Sequence, residues 1–324
     1  MRRTALILCT ILLAAAAAFL PAASASAAPG NGPVQDSFVT AAAYGLLNPD
    51  VAPSGSNDWT CRPTAAHPRP VVLVHGTWAN QYNSWAFLAP RLKAAGYCVF
   101  SLNYGRDTST PVGSGPGVDA TGPIMDSARE VGAFTERVRA ATGAAKVDLV
   151  GYSQGGIVVR GYLKFFGGAN AADPAANHVQ NVVTYAATNH GTTMDGMTTL
   201  ASALHTLGLV TDVVGASAGA AATDQVVGSD YVTALNAGGD TMPGIDYTIL
   251  TTKYDEVSTP YRASFLTAGP GATVKNIVIQ DGCAIDGSEH LAIPFSLRAA
   301  DYTLKALDPG TPRTIRCAPE LPVL

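Results

Sequence analysis

The pentapeptide Gly151-Tyr152-Ser153-Gln154-Gly155 sets one hydroxyl between two glycines. The pattern G-x-S-x-G marks a turn where a strand passes abruptly into a helix, with the serine held at its apex in a strained backbone conformation. Side chains two residues either side of the apex would collide, so those positions are small. A serine held there becomes a nucleophile once a base stands within hydrogen-bond reach. Chance alone supplies roughly 0.2 such patterns in a chain of this composition. This chain has a second one, Gly215–Gly219 around Ser217. Context separates the two. Ser153 follows the strand-like "VDLV" and precedes the helix-like "GIVVRGYLKFF", whereas Ser217 sits in an Ala/Gly-rich stretch with no apolar stripe after it. Ser153 is therefore the expected nucleophile, its hydroxyl standing bare at the top of a sheet.

Six histidines are candidates for the base: His67, His75, His178, His190, His205 and His290. In folds that carry this turn the order along the chain is serine, acid, histidine. His290, in "DGCAIDGSEHLAIP", is the only histidine after both Ser153 and the strand-like "YTILTT". His190 is the alternative, with a loop hydrogen bond or a pocket wall as its simpler role. The acid that orients the imidazole should follow a strand end. Asp255 in "YTILTTKYDEVSTP" fits; Glu256 is adjacent, and Asp281 and Asp286 are expected to shape the His290 loop. A tetrahedral intermediate also needs fixed donors for its oxyanion. The expected pair is the Gln154 N–H and the Thr77 N–H, the latter from "VVLVHGTWAN", where Gly76 lets the backbone turn and His75 ties the loop down.

The elements that must hold these groups follow from periodicity. Val71–Val74, Cys98–Leu102, Val147–Gly151, Asn181–Ala186, Tyr247–Thr252 and Asn276–Gln280 are short, β-branched and nearly uncharged, the signature of strands buried on both faces. Helical spacing appears after Ser84 (an expected N-cap, with Gly96 as the stop), from Pro123 to Val138, over Ile157–Phe166 and from Pro294 to Leu307. Strands alternating with helices predict an α/β fold with a mostly parallel central sheet covered on both sides. Two segments depart from the alternation: a loop-rich stretch over 28–69, and a helical insertion over 194–244 in which Met197, Leu200, Leu204 and Leu207 recur at helical spacing. The insertion reads equally as a pair of packing helices or as a cap over the site.

The chain has 324 residues. Residues 1–27 read as a secretory signal peptide, with Arg2 and Arg3, an apolar run and an Ala25-Ser26-Ala27 cleavage site. Export is thus expected, with 70–324 as the catalytic domain. Without the signal, Lys plus Arg falls to 18 against 24 acidic residues, a net charge of −6, which excludes a nucleic-acid partner on electrostatic grounds. Cys61, Cys98, Cys283 and Cys317 remain once Cys9 leaves. An even count in an exported chain suggests two disulfides. Of the three connectivities, Cys61–Cys98 and Cys283–Cys317 are favoured because each joins nearby segments; a zinc site has no supporting spacing.

Taken together, "VVLVHGTWAN", "VDLVGYSQGG", "AATNHGT", "TTKYDEVSTP" and "GSEHLAIP" resemble the secreted actinobacterial triacylglycerol lipases and esterases. These are α/β-hydrolases related to the small Bacillus-type lipases. The resemblance runs from about Pro70 to Leu307. It implies Ser153 as nucleophile, Asp255 as acid, His290 as base, and Thr77 and Gln154 as oxyanion donors. It implies a monomer acting on lipids or small esters, in transient contact with a lipid–water interface. Some lipases hold a structural calcium, but no carboxylate cluster here demands one, and no metal or other cofactor is expected. A cutinase, a polyester hydrolase or an acyltransferase would use the same triad. A non-catalytic binding protein on this scaffold is the remaining alternative, and it would ordinarily have lost a triad member or an elbow glycine.

Overall fold

The computed structural model describes residues 30–210 and 218–324. The signal peptide and Ser217 lie outside the described residues.

Six strands form one sheet: β1 (Val71–Val74), β2 (Val99–Ser101), β3 (Val147–Tyr152), β4 (Val179–Tyr185), β5 (Asp246–Thr251) and β6 (Thr273–Val278). Their order is β2-β1-β3-β4-β5-β6 and every pairing is parallel. The alternating side chains split the core in two. Val71, Leu73, Val150, Val183 and Leu250 belong to one buried cluster. Val72, Val74, Leu149, Val182 and Ile249 belong to the other. A sheet buried on both faces needs helices on both faces. α1 (Phe38–Leu47), α2 (Gln81–Trp85), α3 (Leu88–Ala94) and α9 (Leu297–Leu307) contribute to the first cluster, while α4 (Ile124–Thr142) and α5 (Gln154–Phe165) contribute to the second.

The strands fall within a few residues of their predicted positions. The helix ends differ more. Ser84 is not an N-cap. Asn80 caps α2 instead, its side chain accepting from the Tyr82 and Asn83 N–H groups while Asn83 answers from the third helical position. This reciprocal capping box satisfies orphan amides that a serine inside the helix could not reach. The loop-rich N-terminal stretch contains a ten-residue helix, α1, capped by the Ser37 side chain. Its buried residues are Phe38, Ala41, Ala42 and Gly45; with one large side chain among three small ones, its apolar stripe is too slight to stand out against the surrounding Gly and Pro.

Between β4 and β5 the insertion forms α6 (Met194–Thr206), α7 (Ala220–Asp224) and α8 (Asp230–Asn236). Met197, Leu200 and Leu204 of α6 are buried in the first cluster. Tyr231 and Leu235 of α8 join the second. Both disulfides form, Cys61–Cys98 and Cys283–Cys317.

Candidate active site

Parallel strands all deliver their following loops to one end of the sheet, where ligands of open α/β folds bind. Here the register brings four such ends together. Val74 of β1 lies opposite Gly151 of β3, Tyr152 opposite Tyr185 of β4, and Leu250 of β5 opposite that same Tyr185. The loops carrying Thr77, Ser153 and Asp255 are thereby adjacent, and His290 arrives on the loop that follows β6.

Ser153 has φ 53° and ψ −124°, a region non-glycine residues rarely occupy. Two contacts hold it there: its N–H donates to the Tyr185 carbonyl at 2.8 Å, and its carbonyl accepts from Gly156 N–H at 3.0 Å. The flanking glycines are obligatory on steric grounds. A Cβ on Gly155 would lie 2.3 Å from the Val74 carbonyl oxygen, and one on Gly151 would lie 2.5 Å from the Gly155 carbonyl oxygen.

The Ser153 Oγ is 3.0 Å from His290 Nε2, and His290 Nδ1 is 2.9 Å from Asp255 Oδ1. Asp255 is itself fixed, since Oδ1 also accepts from the Val257 and Ser258 N–H groups at 3.0 and 2.7 Å. Proton affinity at His290 reflects opposing influences. Burial disfavours the imidazolium, but the charge and hydrogen bond of Asp255, with Glu289 and Glu256 behind it, outweigh burial and raise the pKa above its ordinary value. The Tyr152 hydroxyl donates to the His290 carbonyl at 2.9 Å, tying the base loop to the strand that carries the serine.

The loop after β1 abuts the elbow. A Cβ on Gly76 would come within 3.1 Å of the Ser153 Cβ, so a larger residue here would press on the elbow. Gln154 is the first residue of α5, and its N–H is among those a helix leaves without an internal partner. Thr77 is buried, with its Oγ1 accepting from the Gln225 side-chain amide at 2.8 Å. Gln225 also donates to the Ala221 carbonyl, accepts from the Thr188 hydroxyl, and receives the Thr192 N–H on its own carbonyl. Trp78 Nε1 donates to the Ala218 carbonyl. The insertion thus braces this loop at two points. Sequence reading missed Gln225, because a glutamine 148 positions from Thr77 carries no local signal.

The other candidates lie apart from this chain of hydrogen bonds. His190 places Nδ1 against the Ala263 carbonyl and Nε2 against Asp240. His75 is buried with Nδ1 on the Gly76 carbonyl, and burial pushes its pKa down to about 4, so it stays neutral. Asp286 accepts from the Ser288 N–H and hydroxyl and the Ser296 hydroxyl, which braces the His290 loop. Asp281 offers its carbonyl to Arg298.

The expected bare hydroxyl is not found. Ser153 is 2% exposed and His290 0%. Trp78, Tyr152, Val257 and Leu291, each next in sequence to a residue discussed above, share one apolar cluster with Met197, Leu200, Val210 and Ala222 of the insertion. An elbow pattern carries no information about what packs around it, so the burial of Ser153 is a product of tertiary packing.

A doubly covered parallel sheet with a strained serine between β3 and α5 is the α/β-hydrolase fold. The chain belongs to the Lipase (class 2) family, whose model matches residues 68–291. A 101-residue stretch is 34% identical to a triacylglycerol lipase of Pseudarthrobacter phenanthrenivorans, over 30% of this chain and 28% of the relative. A triacylglycerol lipase of Burkholderia plantarii matches equally well over 25% of its length. The chain therefore aligns with only about a quarter of these curated relatives. In fold it is similar to Aspergillus fumigatus lipase B, with a TM-score of 0.59 and 18% identity over 82% of this chain and 56% of that one.

Proposed function

We propose that this protein is an exported serine carboxylic-ester hydrolase acting on acylglycerols. The observation that carries the reading is the unbroken hydrogen-bonded series from Ser153 Oγ through His290 to Asp255. Family membership and the triacylglycerol lipases that match part of the chain support the substrate class. Export rests on the N-terminal signal pattern and is supported by the two disulfides. Among the described residues no helix is long and apolar enough to cross a membrane.

In this mechanism Ser153 Oγ attacks the ester carbonyl carbon as His290 Nε2 takes its proton. Asp255 holds the Nδ1–H and balances the imidazolium. The carbonyl oxygen becomes an oxyanion facing the Thr77 and Gln154 N–H groups; losing one such donor costs about 3–4 kcal/mol of transition-state stabilisation. Because Gln225 donates to Thr77 Oγ1, the threonine's own hydroxyl proton is free to point elsewhere. Collapse breaks the ester C–O bond, and His290 returns its proton to the departing alcohol. Water then attacks the acyl-enzyme, with His290 as base again, releasing the acid and restoring Ser153. The described part of the insertion acts as a cap beside the oxyanion loop, which it meets through Trp78 Nε1 on the Ala218 carbonyl and Gln225 on Thr77.

A serine-directed alkyl phosphonate tests the reading. Wild type should be labelled and Ser153→Ala should not. An unlabelled wild type would remove the enzyme from consideration. Rates on p-nitrophenyl esters of rising chain length, beside emulsified triolein, then separate acylglycerol hydrolysis from preference for short soluble esters.

A further inference from the structure

Glu289 directly precedes His290, yet it takes no part in the hydrogen-bonded series. It is 2% exposed, and buried carboxylates are costly unless bound. Its two oxygens accept three backbone N–H groups. Oε2 takes Leu291 at 2.7 Å, and Oε1 takes Ala292 at 3.1 Å and Val323 at 2.8 Å. The first two belong to the turn that carries the imidazole. The third belongs to the C-terminal segment, which is anchored on the same loop twice more, by the Cys283–Cys317 disulfide and by Gly287 N–H on the Glu320 carbonyl at 3.0 Å.

We propose that Glu289 is a positioning residue for His290 and that the C-terminal segment 317–324 completes it. One carboxylate clamps the turn just after the base to a strap held against the His290 loop. The proposal rests on the catalytic reading above. It assigns a role to residues beyond 291, where the family match ends. The clamp also puts a second negative charge beside the imidazole. The groups facing His290 are Asp255 and Glu256 from the loop after β5, Tyr152 from β3, Ser153 from the elbow, and Glu289 itself. Tyr152 stays neutral because burial drives its pKa well above 10. Glu289 and Glu256 both favour the imidazolium, while Glu256, pushed up to about 7 by burial and by the Glu289 charge, titrates over the same range as the base. Glu289 therefore acts in two separable ways, by geometry and by charge.

Two variants separate them. Val323→Pro deletes the one strap N–H that Glu289 receives and removes no charged group, although that N–H helps to keep the buried carboxylate ionised. Glu289→Gln keeps the shape, removes the charge, and turns one acceptor oxygen into a donor. kcat is referred to active sites counted by phosphonate labelling, so loss of folded protein does not enter. V323P should lower kcat about threefold with KM unmoved, and should move the acid limb of kcat/KM less than E289Q does. E289Q should lower kcat about tenfold and move the acid limb to lower pH, with KM again unmoved. The proposal is overturned if both variants keep wild-type kcat per labelled site, or if both change KM alone. It is equally overturned if the E289Q limb stays where wild type has it. If E289Q yields too little folded protein, V323P alone decides by the same kcat criterion. Failure of the catalytic reading looks different: wild type itself is unlabelled, or S153A retains its turnover.

Discussion

At the scale of single residues, the site is a problem of placing polar groups where water is scarce. Asp255 and His290 are fully buried, and the attraction between them raises the imidazole pKa against the effect of burial. The acid limb of kcat/KM should therefore lie above 6.5, the ordinary imidazole value, and activity should fall as pH drops through it. A limb at or below that value in a rate–pH profile would contradict this electrostatic account. Asp255→Asn keeps the shape but loses the charge and reverses the preferred tautomer. It should cost about 10⁴-fold in kcat, as measured by initial rates on a soluble ester. Gly155→Ala should abolish activity outright, because the added methyl has a carbonyl oxygen 2.3 Å away and the elbow can close only by moving β1 or α5.

At the scale of elements, the loops that carry the site are held from outside it. The loop after β1 is braced by Gln225, which belongs to the C-terminal end of α7. Gln225→Ala should lower kcat about tenfold with little change in KM, since the donor geometry loosens while the ester still binds. Steady-state kinetics on one ester, read as separate constants, tests that division. The His290 loop is closed by the Cys283–Cys317 bridge, whose ends are 34 residues apart. In the chain-entropy account a loop of that length is worth about 4 kcal/mol. Replacing both cysteines by serine should cost stability of that order, visible as a lower urea midpoint. It should also reduce kcat, because the strap that meets Glu289 is anchored there.

For the molecule as a whole, pH should act on stability through groups outside the triad as well. His75 is fully buried, neutral, and depressed to about 4. A base with a depressed folded pKa contributes stability that is fully present above its unfolded value of about 6.5 and is lost as pH falls from there towards 4. That contribution is about 3 kcal/mol at most, at 1.36 kcal/mol per unit. Urea midpoints measured between pH 7.5 and 4.5 should fall, and His75→Asn should flatten the slope.

The sequence by itself determined the alternating strands and helices and the two-faced core. β-branched runs and apolar stripes are local signals, and they persist whatever the rest of the chain does. It also singled out Ser153, because a strained turn needs its glycines in fixed places, and His290 and Asp255, by their order along the chain after it. It did not reveal α1, whose buried face has one large side chain among three small ones, or the Asn80 cap, which depends on a reciprocal partner. Only the tertiary structure decided that Ser153 lies covered, that Gln225 holds Thr77, and that Glu289 meets Val323. Each of those depends on segments distant in sequence meeting in space, and a contact between distant segments leaves no periodicity for a reader of the chain to find.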